Sequence, residues 1–203
     1  MGRVSRQSPL LISCSILKPE IKALIEGKKI EAKAIFLNKH LHMDYQKLQN
    51  ALKASLRKHS KKKPVVVYGD LCLGFNGEMN VLMADYDVVK VDALNCIDCL
   101  LGGCGKLLQM DPDHRFYYLT AGFLDFTEKL TLGLKEDTRR RFNMLKGIIV
   151  LDSLGDIDRH WDRIEQISDQ TGLPVLEHCV VGLDGLKALI EAALKKGGHD
   201  PVA

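Results

Sequence analysis

An α/β fold with an open, doubly wound, mostly parallel sheet and helices on both faces is what this sequence predicts, on three observations. Short apolar runs alternate with amphipathic stretches along most of the 203 residues, and strands that alternate with helices pair in parallel through right-handed crossovers. Several runs are continuous and β-branched, VVV at 65–67 and IIVL at 148–151, as in a sheet covered on both faces. No internal repeat or low-complexity segment points to another architecture.

Residues 10–14 (LLISC) read as the first strand. A helix opens near Pro19 and Glu20, because proline suits the first helical turn. Residues 32–37 (AKAIFL) form a second strand, after which Tyr45, Leu48, Leu52 and Leu56 share one helical face with Asp44 at its start. Strands three and four are expected at 64–68 (PVVVY) and 87–94 (DVVKVDAL). A helix over 98–110 is weakened by Gly102, Gly103 and Gly105. Further strands fall at 116–120 (FYYLT) and 148–151, with a polar helix around 136–146 between them. The last third carries a helix over 160–171, a strand at 174–177 and a closing helix over 185–196. The expectation is one sheet of about six or seven strands in a single domain over 1–203, with room for a C-terminal lobe from about residue 151.

Hydrophobic residues make up 46% of the chain and charged residues 27%, ordinary for a protein with a real core. A net charge of +3 and a mean hydropathy of −0.06 give no reason to expect nucleic acid or a membrane as partner. The basic run at 57–63 reads as a solvated helix end favoured by the helix dipole. No apolar stretch reaches the ~20 residues needed to span a bilayer, and the N-terminal apolar part is too short for a signal peptide. Gly2 is followed by Arg6 where myristoylation wants Ser or Thr. A cytoplasmic location follows, and in a reducing compartment six cysteines are read as thiols or metal ligands, not a disulfide frame.

Ligands of open parallel sheets bind beyond the carboxyl ends of the strands. There this sequence places Cys14 after the first strand, His40 and His42 after the second, Cys72 after the third, and Cys96 and Cys99 after the fourth. Thiolate and imidazole suit zinc, cobalt, copper and iron–sulfur clusters, and Cys3His is a known coordination set. His40 and His42 alternate in direction, so one of them faces the site. Gly69, Gly74 and Gly77 let the third loop turn sharply and bring N–H groups toward a cofactor. Cys96 opens a helix, whose dipole favours its thiolate. Cofactor contacts are expected at Gly69, Asp70, Gly74, Asn76, Gly77, Asn95 and Thr120. Against this, cysteine is among the most buried residues, and Cys104 and Cys179 are read as space-filling. Asp70, Asp92, Asp98 and Asp152 suit either proton transfer or helix capping, the commoner role.

The stretches Cys14-Ser15-Ile16-Leu17-Lys18-Pro19-Glu20, Leu41-His42, Gly69-Asp70-Leu71-Cys72-Leu73-Gly74, Asn95-Cys96-Ile97 and Tyr117-Tyr118-Leu119-Thr120-Ala121-Gly122-Phe123 resemble the prokaryotic family known as domain of unknown function 1638, over about residues 10–194. That resemblance implies a setting in anaerobes beside corrinoid-dependent methyltransferases, with a corrinoid protein or methyltransferase as partner. It also implies Cys14, His42, Cys72 and Cys96 as its recurring positions. Leu94 and Asn95 stand where the family pattern has histidine and aspartate, Ala121 where proline is common, and Cys99 and Cys104 lie outside the pattern.

The leading expectation is a metal- or cofactor-binding accessory protein of methyl-group or corrinoid metabolism, holding zinc, an iron–sulfur cluster or a corrinoid through Cys14, Cys72, Cys96 and His42, with Cys99 in reserve. A methyltransferase-type enzyme using a metal thiolate is the alternative. A thiol redox protein using Cys96 and Cys99 is the third reading.

Overall fold

Parallel pairing carries every strand. The computed structural model describes residues 8–199; the N-terminal features weighed above, Gly2 and Arg6, lie outside them. In chain order the elements are β1 (Leu10–Cys14), α1 (Lys18–Glu26), β2 (Lys33–Leu37), α2 (Tyr45–His59), β3 (Val65–Val67), α3 (Glu78–Asp85), α4 (Cys96–Leu101), α5 (Lys106–Met110), β4 (Phe116–Leu119), α6 (Leu124–Leu130), α7 (Lys135–Phe142), β5 (Gly147–Asp152), α8 (Trp161–Thr171), β6 (Val175–Val180) and α9 (Asp184–Lys196). The α/β class with parallel strands is as the sequence implies. The six strands are divided, however, between two three-stranded sheets, ordered β2-β1-β3 and β4-β5-β6, where one continuous sheet was expected.

The local physics of the first half follows the sequence closely. Pro19 stands in the first turn of α1, and the carboxylate of Asp44 caps α2 by accepting the Lys47 N–H at 3.0 Å. Leu48, Leu52 and Leu56 turn inward together, while Tyr45, expected on the same face, is half exposed. Residues 87–94 are a correction. Only Val66 and Lys90 form a bridge there, with the Val66 N–H donating to Val89 and the Val91 N–H to Val66, so the segment lies along β3 without becoming a strand. The helix expected over 98–110 is likewise two short ones. Gly102, Gly103 and Gly105 all adopt positive φ, which breaks the helical path between α4 and α5. The helices α3 and α6 were not foreseen.

Each sheet has its own core, and α9 ties the far end of the chain to the first. Leu186, Leu189, Ile190 and Leu194 of α9 pack with Ile12, Val66, Tyr68 and Leu100. A second cluster gathers Leu119, Ile148, Val150, Ile164 and Ile167 around β4, β5 and α8. The carboxyl ends of the two sheets meet. Lys39, just past β2, donates to the Gly122 carbonyl at 3.2 Å and pairs with Asp125 at 2.7 Å. Ser153, just past β5, donates to the Glu20 carboxyl in α1 at 2.8 Å. At Gly122 a Cβ would lie 1.9 Å from the Ile16 carbonyl oxygen, so only glycine permits this approach.

Candidate metal centre

Four segments deliver side chains to the carboxyl edge of the first sheet. Cys14 closes β1 and caps the turn that follows, its sulfur accepting the Ile16 N–H at 3.4 Å. His42 stands in the 3₁₀ turn Lys39–Met43, which Asn38 opens by accepting the His40 N–H at 2.9 Å. Cys72 stands in the turn Asp70–Leu73 after β3. Cys96 is the first residue of α4, capped by Asn95, whose side chain accepts the Asp98 N–H at 2.9 Å.

Backbone contacts force the last two segments together. The Asp70 N–H donates to Ala93 at 2.9 Å and the Leu71 N–H to Leu94 at 3.0 Å. A Cβ at Gly69 would fall 2.3 Å from backbone atoms of Leu94 and Asn95. Asp98, weighed above between proton transfer and capping, is fully buried and binds backbone N–H groups as a cap does. Its carboxylate accepts the N–H groups of Leu94 (3.1 Å), Gly105 (3.1 Å) and Leu107 (2.7 Å).

The ligand atoms of Cys14, His42 and Cys96 all lie within 4.8 Å of one another. Both cysteines are buried, His42 is partly so, and its Nε2 lies 3.2 Å from the Cys14 sulfur. Cys72, expected as an equal member of the set, is buried in the same core cluster but falls outside this three-donor group. Two soft sulfurs and one imidazole at this spacing can hold a metal ion.

The electrostatics point the same way. A hydrogen bond from the Cys96 thiol, against the penalty of burial and helped by His42, holds the Cys14 thiol down at about 5. Cys96 lowers Cys72 too, and itself is pushed well above its ordinary value because it donates to both neighbours. Burial opposes charge on His42, yet the hydrogen bond and charge of Cys14, with Cys72, raise it above the ordinary imidazole value. At neutral pH the metal-free Cys14 is therefore a thiolate, and its charge helps His42 hold a proton.

A titration checks this. In metal-free protein the thiolate absorbance near 240 nm should show one group ionising with a midpoint near 5, absent from Cys14→Ser. An unfolded thiol ionises near 9.0, so between these values the unfolded state binds the extra proton. Stability contributed by Cys14 is thus complete above pH 9, and it falls as the pH is lowered toward 5 and through it. A first thiol midpoint above pH 8 would refute the arrangement.

The remaining expected residues are placed as follows. Cys99 is fully buried and its thiol is strongly raised, chiefly by that burial; it stands outside the three-donor group. Cys104, read as space-filling, is exposed, and Cys179 is partly buried. His40 stacks near Phe126 at 6.1 Å, away from the thiols. Asp70 pairs with Lys90 at 2.9 Å. Gly74 keeps a positive φ against Glu78. Gly77 opens α3, and Asn76 is exposed, binding the Glu78 carboxylate. Thr120 follows β4 in the second sheet, fully buried. Asp152 accepts the Leu154 and Gly155 N–H groups, a capping role.

Sequence reasoning missed Tyr68. Its ring is fully buried and stacks on His42 with centroids 5.8 Å apart and planes at 23°. The available signal was its position between a buried apolar strand and Gly69.

Among known proteins, a family model described as "Protein of unknown function (DUF1638)" matches residues 36–190. The matched span takes in His42, Cys72 and Cys96 and begins after Cys14. No curated protein and no solved structure matches the chain. No helix among the described residues is long and apolar enough to cross a membrane.

Proposed function

This chain belongs to the DUF1638 family of proteins of unknown function, and we propose that it is a metal- or cofactor-binding protein whose centre is formed by Cys14, His42 and Cys96. The observation that carries the reading is their convergence within 4.8 Å from three separate segments. Nothing in packing alone requires three ligating side chains to meet in a largely apolar core. Cys72, buried beside the group in the same core cluster, has a supporting place, as outer groups around a metal orient its ligands. The metal would supply Lewis acidity or a soft coordination site, and the chain's own part is to hold two thiolates and one imidazole out of water. Methyl-group metabolism, with a corrinoid protein or methyltransferase as partner, is the proposed setting, resting on the sequence resemblance.

A second reading is favoured by one observation. Among the described residues only three donors fall within ligating range of one another, and catalytic sites of this ligand type keep a fourth position for water or substrate. A methyltransferase-type enzyme would use that position to activate a thiol.

The test is anaerobic purification followed by metal analysis and a visible spectrum of the same sample. One zinc, iron with charge-transfer bands, or a corrinoid spectrum per chain is the expected result. Protein that is colourless, metal-free, and unable to take up zinc, cobalt(II) or a corrinoid on addition would overturn the reading.

A further inference from the structure

Tyr68 is the polar group at the centre that the ligand set leaves unused. Its hydroxyl makes no hydrogen bond among the described residues. It is fully buried in the same core cluster as Cys14, Cys72 and Cys96, and its ring stacks on His42 with centroids 5.8 Å apart. The O–H is thus a buried, unpartnered donor beside the three-donor group. Phenylalanine would fill the same space and stack on His42 without burying a hydroxyl at a cost.

The charge balance of the centre says what that donor faces. Two thiolates and a neutral imidazole cancel a divalent ion. A fourth, anionic ligand would leave a net negative charge in a buried site, which is unfavourable unless a hydrogen-bond donor meets it. Cys72 falls outside the three-donor group, and Tyr68 is the buried hydroxyl left without a partner beside it. We propose that the fourth position is open and takes a small anionic ligand, a thiolate or an oxyanion, and that the Tyr68 hydroxyl donates a hydrogen bond to its ligating atom. Tyr68 is then the residue that selects an anion at this centre. The inference rests on the metal reading above and names the class of ligand that centre accepts.

Cobalt(II) serves as the probe metal, because its visible bands report coordination number and ligand type. The cobalt-loaded protein is titrated with 2-mercaptoethanol and, separately, with thiocyanate. Saturable shifts of the visible bands are expected in the natural protein. Tyr68→Phe should keep the same cobalt stoichiometry and affinity while binding each probe ~10–100-fold more weakly, as expected when a hydrogen bond to a charged group is lost. Three results would overturn the proposal while leaving the metal reading intact. Bands that respond to neither probe would place Cys72 in the fourth position. Unchanged probe affinity in Tyr68→Phe would remove the donor role. Weakened cobalt binding with unchanged probe affinity would make Tyr68 a support for Cys14. A chain that takes up no cobalt(II) sinks both readings.

Discussion

Cys96→Ser should lower metal affinity roughly 10²–10³-fold, the largest effect of any single change at the centre. Structural zinc sites contribute on the order of 10–16 kcal/mol. Shared among four ligands, that is about 2.5–4 kcal/mol for each donor, or the stated factor in affinity. Competition against a chromophoric chelator measures the affinity. Two comparisons give the number its meaning. Cys99→Ser changes a buried cysteine three residues away in the same helix, outside the donor group, and should leave affinity within about threefold while lowering stability through a polar atom in the core. Cys72→Ser retains a hydroxyl able to hydrogen-bond Cys96, and a supporting position typically costs ~10–100-fold. If Cys99→Ser lost as much metal as Cys96→Ser, a ligand set that includes Cys99, the reserve ligand, would displace the present one.

The convergence of Cys14, His42 and Cys96 was legible because parallel strands carry their carboxyl ends to one edge, so residues at successive strand ends become neighbours however far apart they lie in sequence. That Cys72 falls outside this three-donor group was not legible, because its place depends on the approach of residues 69–71 to 93–95, a contact between backbones that side-chain pattern does not encode. Cys99 could not be separated from Cys96 on spacing alone, since a helix opening at a strand end offers either to the site. The strands themselves were read well from their β-branched runs, but two features escaped. Val88, Val89 and Val91 have the composition of a strand, yet only one bridge forms, and composition cannot say how many ladder bonds a neighbour will supply. The return of α9 to the first sheet's core is a contact between distant parts of the chain, set by which apolar face remains uncovered. The same applies to the break between the sheets, although the three positive-φ glycines at 102, 103 and 105 mark where the path turns.

Gly69→Ala tests whether backbone approach, and not the cysteines alone, builds the centre. The added methyl would sit 2.3 Å from the Asn95 nitrogen and from the Leu94 carbonyl carbon and oxygen. These are main-chain atoms, so no side chain can rotate away, and relief requires the two segments to separate. Overpacking of this kind costs about 3 kcal/mol or more, a loss of roughly 6–12 °C in Tm for a chain of this size. Separation also carries Cys72 and its turn away from Cys96, whose segment is held by Asn95 and Asp98. Metal affinity should fall with stability, by ~10-fold or more, as for loss of a supporting group. General destabilisation has to be distinguished from this, and Ile167→Ala does so. Ile167 lies in α8, in the core of the second sheet, and its truncation costs a comparable 2–5 kcal/mol by leaving a cavity. The two variants should melt at similar temperatures and differ in affinity, Ile167→Ala binding metal like the natural chain well below its Tm. Equal affinities in the two would mean that the centre assembles without the Gly69 approach, and Cys72 would then lose its place beside Cys96.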